Sequence, residues 1–274
     1  MSLFCFAGNK IQPLNEAGVP VTDLLVQRGY GIFDFLRVAK DKPLFIEDHL
    51  DRFFHSASIM RLNIPQTREE VKEIVMQLIE KNQIPYSGIR LLIAGGDAAD
   101  GYTIEHPHLI VIQAPLAEPT LVLPEDGIKL ATYNYLRQIP EVKHTDYIMA
   151  IWLQPWMKSQ GADDILYHQD GLVTECPRSN FFLVTGDGVL VTAQKNMLNG
   201  VTRKNILKVC TENNIPFEVR DLHLQEFATA KEAFITSSTK RIIPVHQIDD
   251  ILLKPDYAHS VARKVYDLLV QLEA

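Results

Sequence analysis

The stretch Val142-Lys143-His144-Thr145-Asp146-Tyr147, read with Leu172-Val173-Thr174-Glu175-Cys176-Pro177-Arg178-Ser179-Asn180-Phe181, constrains the fold more than any other part of the chain. A single lysine follows an Ile139-Pro140 turn, and well downstream a lone glutamate lies just past a Gly171 turn. Charged residues are seldom buried without a partner, so two inward-facing side chains of opposite charge would need one another or a bound group. A solvated surface lysine is the competing reading of Lys143, and the rest of the chain has to decide between them.

At 274 residues the chain is long enough for two domains of roughly 120 to 150 residues. Ala114-Pro115-Leu116-Ala117-Glu118-Pro119-Thr120 has the proline content of an interdomain linker. The expected division is a domain over 1–115, a linker over 116–121 and a second domain over 122–274 that carries Lys143. A formal net charge of −7 argues against a general affinity for nucleic acid or an anionic membrane, both of which need clustered Lys and Arg. Three cysteines, Cys5, Cys176 and Cys210, lie far apart with no CxxC spacing and fit free thiols in a reducing compartment. With no basic N-terminal region ahead of an apolar run, a cytoplasmic location is expected and no metal is called for.

Periodicity predicts the elements. Leu3 to Ile11 reads as a strand, and Ile32 to Val38 with Leu44-Phe45-Ile46 as a hairpin across Lys40-Asp41-Lys42-Pro43. Glu47-Asp48 is read as the cap of a helix with Leu50, Phe53, Phe54, Ala57 and Met60 at helical spacing, which puts His49, Arg52 and Ser56 on adjoining faces. Thr67-Arg68-Glu69-Glu70 has the form of a capping box before a second helix through Ile79. Strands are expected at 90–94, 108–113, 128–132, 164–167, 180–184, 234–236 and 242–245, with a small, polar loop over 98–106. Helices are expected at 147–160, interrupted by Pro155, at 204–212 and at 257–272.

A phosphate needs several N–H and O–H donors and a cation. Gly200-Val201-Thr202 at a helix start and Ser238-Thr239 in a hydroxyl turn are two donor sets, and Arg52 supplies a guanidinium. Each has an ordinary reading too, as a helix cap or a turn. With an inward lysine and a glutamate they suggest pyridoxal 5'-phosphate, which requires a lysine for its Schiff base, an acid opposite its pyridine nitrogen and a phosphate cup.

At this point the chain resembles the fold-type IV, or class IV, pyridoxal-phosphate aminotransferases, among which are D-amino acid transaminases, branched-chain aminotransferases and aminodeoxychorismate lyases. The matches run in the family's order: Gly29-Tyr30-Gly31-Ile32-Phe33-Asp34, His49-Leu50-Asp51-Arg52, Lys143, Glu175 with Ser179-Asn180-Phe181-Phe182, Gly200-Val201-Thr202-Arg203, and Thr236-Ser237-Ser238-Thr239 before Ile243-Pro244-Val245. The resemblance implies an α/β (α+β) fold with a small N-terminal α/β domain and a larger C-terminal pseudo-barrel domain. It also implies a homodimer whose subunits share residues between their active sites. Lys143 would form the Schiff base and carry the proton; Glu175 would bond the pyridine nitrogen; Arg52, Val201, Thr202, Ser238 and Thr239 would hold the phosphate. Tyr147 would bond the cofactor's 3'-oxygen, or else belong to the core.

Within the family, the Lys-His-x-Asp-Tyr spacing is similar to that of D-amino acid transaminases and the lyases. The expected reaction moves the amino group of a D-amino acid of the alanine or glutamate type to a 2-oxo acid by a ping-pong mechanism. Branched-chain L-amino acid transfer and an aminodeoxychorismate-type elimination are the alternatives. The loop from Gly95 to Thr103 has no arginine to grip the substrate carboxylate, which departs from the usual D-amino acid transaminase pattern. Arg28 and Arg90 are therefore the substrate-binding candidates, with surface or structural ion pairs as their other reading. Arg178 receives no role.

Overall fold

The structure, a computed structural model, describes residues 3–118, 120–253 and 259–274. It divides into two compact units, Met1–Glu118 with Val142–Asp146, and Pro119–Glu141 with Tyr147–Ala274.

The first unit is built on a six-stranded sheet with α1 (Leu24–Arg28), α2 (Ile46–Ile59) and α3 (Arg68–Asn82). Its strands are β1 (Phe4–Ala7), β2 (Lys10–Pro13), β3 (Gly31–Ala39), β4 (Lys42–Pro43), β5 (Tyr86–Ala94) and β6 (His108–Pro115), in the order β2-β1-β6-β5-β3-β4. The single strand expected over 3–11 is a hairpin instead. Gly8 and Asn9 take φ of 57° and 61°, the left-handed pair that a two-residue hairpin turn requires. β3 finds its long partner in β5, nine residues in register from Gly31↔Ala94 to Ala39↔Tyr86. Its expected hairpin partner, Leu44 to Ile46, is replaced by the short β4, because Phe45 turns left-handed and α2 begins at once.

Leu50, Phe53 and Ala57 of α2 and Val71, Val75 and Leu78 of α3 share one buried cluster with Ile32, Leu36, Ile89, Leu91 and Ile93 of the sheet. The capping box forms as expected: Thr67 accepts from Glu70 N–H and Glu70 from Thr67 N–H. Glu47 does not cap α2. It lies in the first turn, where it complements the helix dipole, and pairs with Arg68 and Lys72.

The second unit holds a mixed ten-stranded sheet that curls as a half-barrel. Its elements are β7 (Ile128–Asn134), α4 (Ile148–Trp152), α5 (Gln154–Ser159), β8 (Asp164–Gln169), β9 (Leu172–Val173), β10 (Glu175–Cys176), β11 (Ser179–Val184), β12 (Leu190–Ala193), α6 (Val201–Glu212), β13 (Phe217–Arg220), β14 (Glu232–Ser237), β15 (Arg241–Ile248), β16 (Ile251–Leu252) and α7 (Val261–Glu273). The path runs β13-β12-β11-β14-β15-β7-β8-β9, with β10 on β11 and β16 on β15. Pro155 breaks the helix expected over 147–160 into α4 and α5, since its ring clashes with the preceding turn. α6 begins at Val201, earlier than the periodicity suggests, and Ser260 caps α7. The expected start of the last helix, Tyr257, and Pro119 of the linker lie outside the described residues.

The sequence assigns Lys143 to the second domain, whereas its segment packs with the first unit. Val142 is fully buried in the first unit's core. His144 bridges to Ile32, Phe33 N–H donates to the Lys143 carbonyl at 2.9 Å, and Thr145 N–H donates to the Gly31 carbonyl at 3.0 Å. Backbone pairing to β3 therefore sets the position of the lysine.

Candidate active site

In the first unit the lysine sits on an aromatic face. Its Nζ lies 4.6 Å from the centroid of the Phe33 ring, and its backbone N–H reaches Ser56 Oγ of α2 at 3.4 Å. Arg90 shares that ring, its guanidinium carbon 5.4 Å from the centroid. The register explains it: Phe35 pairs with Arg90 and Phe33 with Leu92, so Phe33 and Arg90 are diagonal neighbours on one face. Arg28 is exposed at the end of α1, and a methyl on Gly101 would come 3.6 Å from its Nη2, so it lies against the 98–106 loop.

Behind Phe33, Asp34 points the other way along the strand and is fully buried. It accepts from Arg52 twice, Nε to Oδ2 and Nη2 to Oδ1, both at 2.8 Å, and from Phe35 N–H at 2.7 Å. His49 Nδ1 lies 2.6 Å from Asp34 Oδ1 and is the donor, because a carboxylate only accepts. His49 and Arg52 are three apart on α2 and so share a face. Burial pushes the Asp34 carboxyl up, but Arg52 and His49 together hold it well below the usual carboxylate range. Burial pushes the His49 imidazole below its ordinary value against the pull of Asp34, and the charges of Arg52 and Lys143 act in the same downward direction.

In the second unit Glu175 is buried on β10. Arg137 Nε donates to its Oε1 at 2.7 Å, and Leu198 N–H donates to its Oε2 at 3.0 Å. Leu198 leads to Gly200, the residue before α6, where no side chain caps the helix. Val201 and Thr202 thus offer the N–H groups of a helix start, which carry no intrahelical partner. Only glycine fits ahead of them, since a Cβ at Gly200 would stand 2.1 Å from Asn180 Oδ1. Asn180 also donates to the Leu198 carbonyl at 2.7 Å and pairs across the sheet with Thr236, next to the hydroxyl turn. In that turn Ser238 is half-buried, Thr239 is exposed, and Thr239 Oγ1 lies 3.3 Å from Ser237 Oγ. Tyr147 is half-buried at the start of α4, and Arg178 is exposed in the tight turn between β10 and β11.

Of the expected site residues, Arg28, Arg52, Arg90 and Lys143 belong to the first unit, and Tyr147, Glu175, Val201, Thr202, Ser238 and Thr239 to the second. Lys143 and Arg90 meet on Phe33, and Glu175 is joined through Leu198 to the start of α6. Three residues that sequence reasoning left without roles act within each unit: Asp34, bonded to His49, holds Arg52 in the first, and Arg137 holds Glu175 in the second. An acid interrupting the apolar run of β3 was a signal for Asp34; nothing marked Arg137.

A family model described as "Amino-transferase class IV" matches residues 31–248. The chain belongs to the class IV aminotransferases. Members of this family bind pyridoxal 5'-phosphate, and the donor set fits that group: a half-buried lysine, an anchored buried carboxylate and an uncapped helix start. This class IV chain is 30% identical to branched-chain-amino-acid aminotransferase-like protein 2 of Arabidopsis thaliana over 98% of its own length, but spans only 50% of that relative. To a D-alanine aminotransferase of Listeria monocytogenes it is 26% identical, covering 96% of this chain and 93% of the relative. A solved branched-chain aminotransferase from the archaeon Thermoproteus uzoniensis superposes with a TM-score of 0.89 at 22% identity, covering 100% of this chain and 96% of the other, and so shares its fold.

Proposed function

We propose that this class IV aminotransferase transfers the amino group of a D-amino acid of the alanine or glutamate type to pyruvate or 2-oxoglutarate, in a ping-pong reaction. The observation that supports the reading is the Phe33 ring, with Lys143 Nζ 4.6 Å and the Arg90 guanidinium carbon 5.4 Å from its centroid, so that on this reading a cation for the substrate carboxylate shares a ring with the reacting amine. The Lys143-to-Tyr147 spacing favours the D-side over branched-chain L-substrates.

When bound, pyridoxal 5'-phosphate supplies an electron-accepting ring that stabilises charge on the substrate's Cα. Lys143 would attach the cofactor and move the proton from the substrate's Cα. Glu175 would face the ring nitrogen; Arg52, Val201, Thr202, Ser238 and Thr239 would hold the phosphate; Tyr147 would support the ring oxygen. Arg52 is aimed by Asp34. Arg90 and Arg28 take the substrate carboxylate. The working form is a homodimer in the cytoplasm, a reading supported by Ile148, Ile151 and Trp152, which form an exposed apolar stripe on α4, and by the buried free thiols Cys5, Cys176 and Cys210. Sedimentation of the holoenzyme is expected to give twice the 31.1 kDa chain mass; a 31.1 kDa species at micromolar concentration rules the dimer out.

The test is a set of half-reactions of the holoenzyme with D-alanine, D-glutamate, L-leucine and L-glutamate, followed by cofactor absorbance. D-Alanine and D-glutamate are expected to convert the cofactor to its aminated form and leave it there. A response to L-leucine alone overturns the D-specific reading, and a spontaneous return of the starting spectrum points to a lyase. In the same assay Arg90→Ala raises the amino-acid KM by about 10- to 100-fold, the loss of one charge-assisted contact. Unchanged substrate kinetics would remove Arg90 from the site.

A further inference from the structure

We propose that Arg137 is a positioning residue for the transamination, acting through Glu175; this rests on the reading of Glu175 as the partner of the cofactor's ring nitrogen. Arg137 lies in the segment after β7 that leads to Lys143. Its Nε and Nη2 both reach Glu175 Oε1 at 2.7 Å, and Nη2 also donates to the Pro140 carbonyl at 2.5 Å. The guanidinium therefore staples the carboxylate to a point three positions before Lys143 in the chain. The other oxygen, Oε2, accepts Leu198 N–H at 3.0 Å, three positions before Val201.

A carboxylate has about four lone-pair directions. With one donor group fixed on each oxygen it can neither rotate nor withdraw, and an incoming N–H meets an acceptor already in place. The short loop that Arg137 closes contains Ile139 at φ 46°, a left-handed backbone that a branched side chain adopts only at a cost. Arg137 begins that loop and its guanidinium reaches the Pro140 carbonyl at the other end, and so holds it closed while bound to Glu175.

Arg137→Met keeps part of the stem and removes every donor. Its apoprotein is expected to bind pyridoxal 5'-phosphate about 10-fold more weakly in a fluorescence titration. The loaded variant is expected to lose about 10- to 100-fold in kcat, with the amino-acid KM within about twofold of the parent. Arg137→Lys recovers part of both losses. The double variant Arg137→Met with Glu175→Gln is no worse than Glu175→Gln alone, because a residue that acts only through Glu175 has nothing left to position. Additive losses in the double variant, or an Arg137→Met protein that binds cofactor and turns over as the parent does, overturn the role of Arg137 while leaving the functional reading standing. If Glu175→Gln itself changes neither cofactor affinity nor kcat, the assignment of Glu175 falls and that of Arg137 with it. Should Arg137→Met fail to fold, the Lys variant and the double variant, in which both charges are gone, make the same comparison.

Discussion

Lys143→Ala abolishes the visible absorbance band of the bound cofactor and turnover together, with kcat falling on the order of 10⁴-fold or more. The side chain is the only part of this segment that the substitution removes. The backbone of residues 142–145 is held by its own pairing, Phe33 N–H to the Lys143 carbonyl at 2.9 Å and Thr145 N–H to the Gly31 carbonyl at 3.0 Å, so the seat survives. Fold and melting temperature are accordingly expected to match the parent within a degree or two, and phosphate-dependent binding of the cofactor to persist in weakened form. Borohydride reduction of the parent followed by peptide mapping puts the label on Lys143. A label elsewhere, or an alanine variant that retains the visible band, sinks the assignment of the reacting amine.

Asp34→Asn has the largest expected effect on stability, a loss of about 3–5 kcal/mol, because it leaves a guanidinium that is only a tenth exposed facing a neutral amide. For the first unit that corresponds to a fall in melting temperature on the order of 10 °C. The pH dependence follows from the directions of the two shifts. The folded Asp34 carboxyl lies below its unfolded value of about 3.9, so its contribution is complete above that pH and is lost as the pH falls further. The folded His49 imidazole also lies below its unfolded value of about 6.5, so the unfolded chain gains a proton first and stability begins to decline as the pH drops through that value. In the asparagine variant the decline below about pH 4 is shallower than in the parent. Equal slopes in both proteins, measured by denaturant titration from pH 7 to 3, would falsify the role given to Asp34 as the anchor of Arg52.

How far the chain could be read beforehand differed by element. α3 was legible from its cap through Ile79 because its capping box and apolar spacing are local signals, and both appear in the structure. The break at Pro155 was legible for the same reason. The hairpin at Gly8-Asn9 was written in its turn residues but hidden by the continuous apolar pattern around it. The affiliation of Val142–Asp146 was not legible, since it depends on pairing with β3, more than a hundred positions upstream. Site residues fell on the same divide. Lys143 stands out as a single lysine after the Ile139-Pro140 turn, Glu175 as a lone glutamate just past the Gly171 turn, and Gly200 as a turn before a helix. Arg137 is one arginine among polar loop neighbours, and only its distance to Glu175 distinguishes it.

The pairing of Lys143's segment with β3 bears on how the molecule can be assembled. On the ribosome, Gly31–Ala39 emerges long before Val142, and the loop between them must close before the lysine has any fixed place. A fragment beginning at residue 119 carries the amine without the strand that seats it, and one ending at residue 118 carries the strand without the amine. On the reading of Lys143 as the reacting amine, catalytic competence is expected late in biogenesis, once distant stretches of a single polypeptide have found one another.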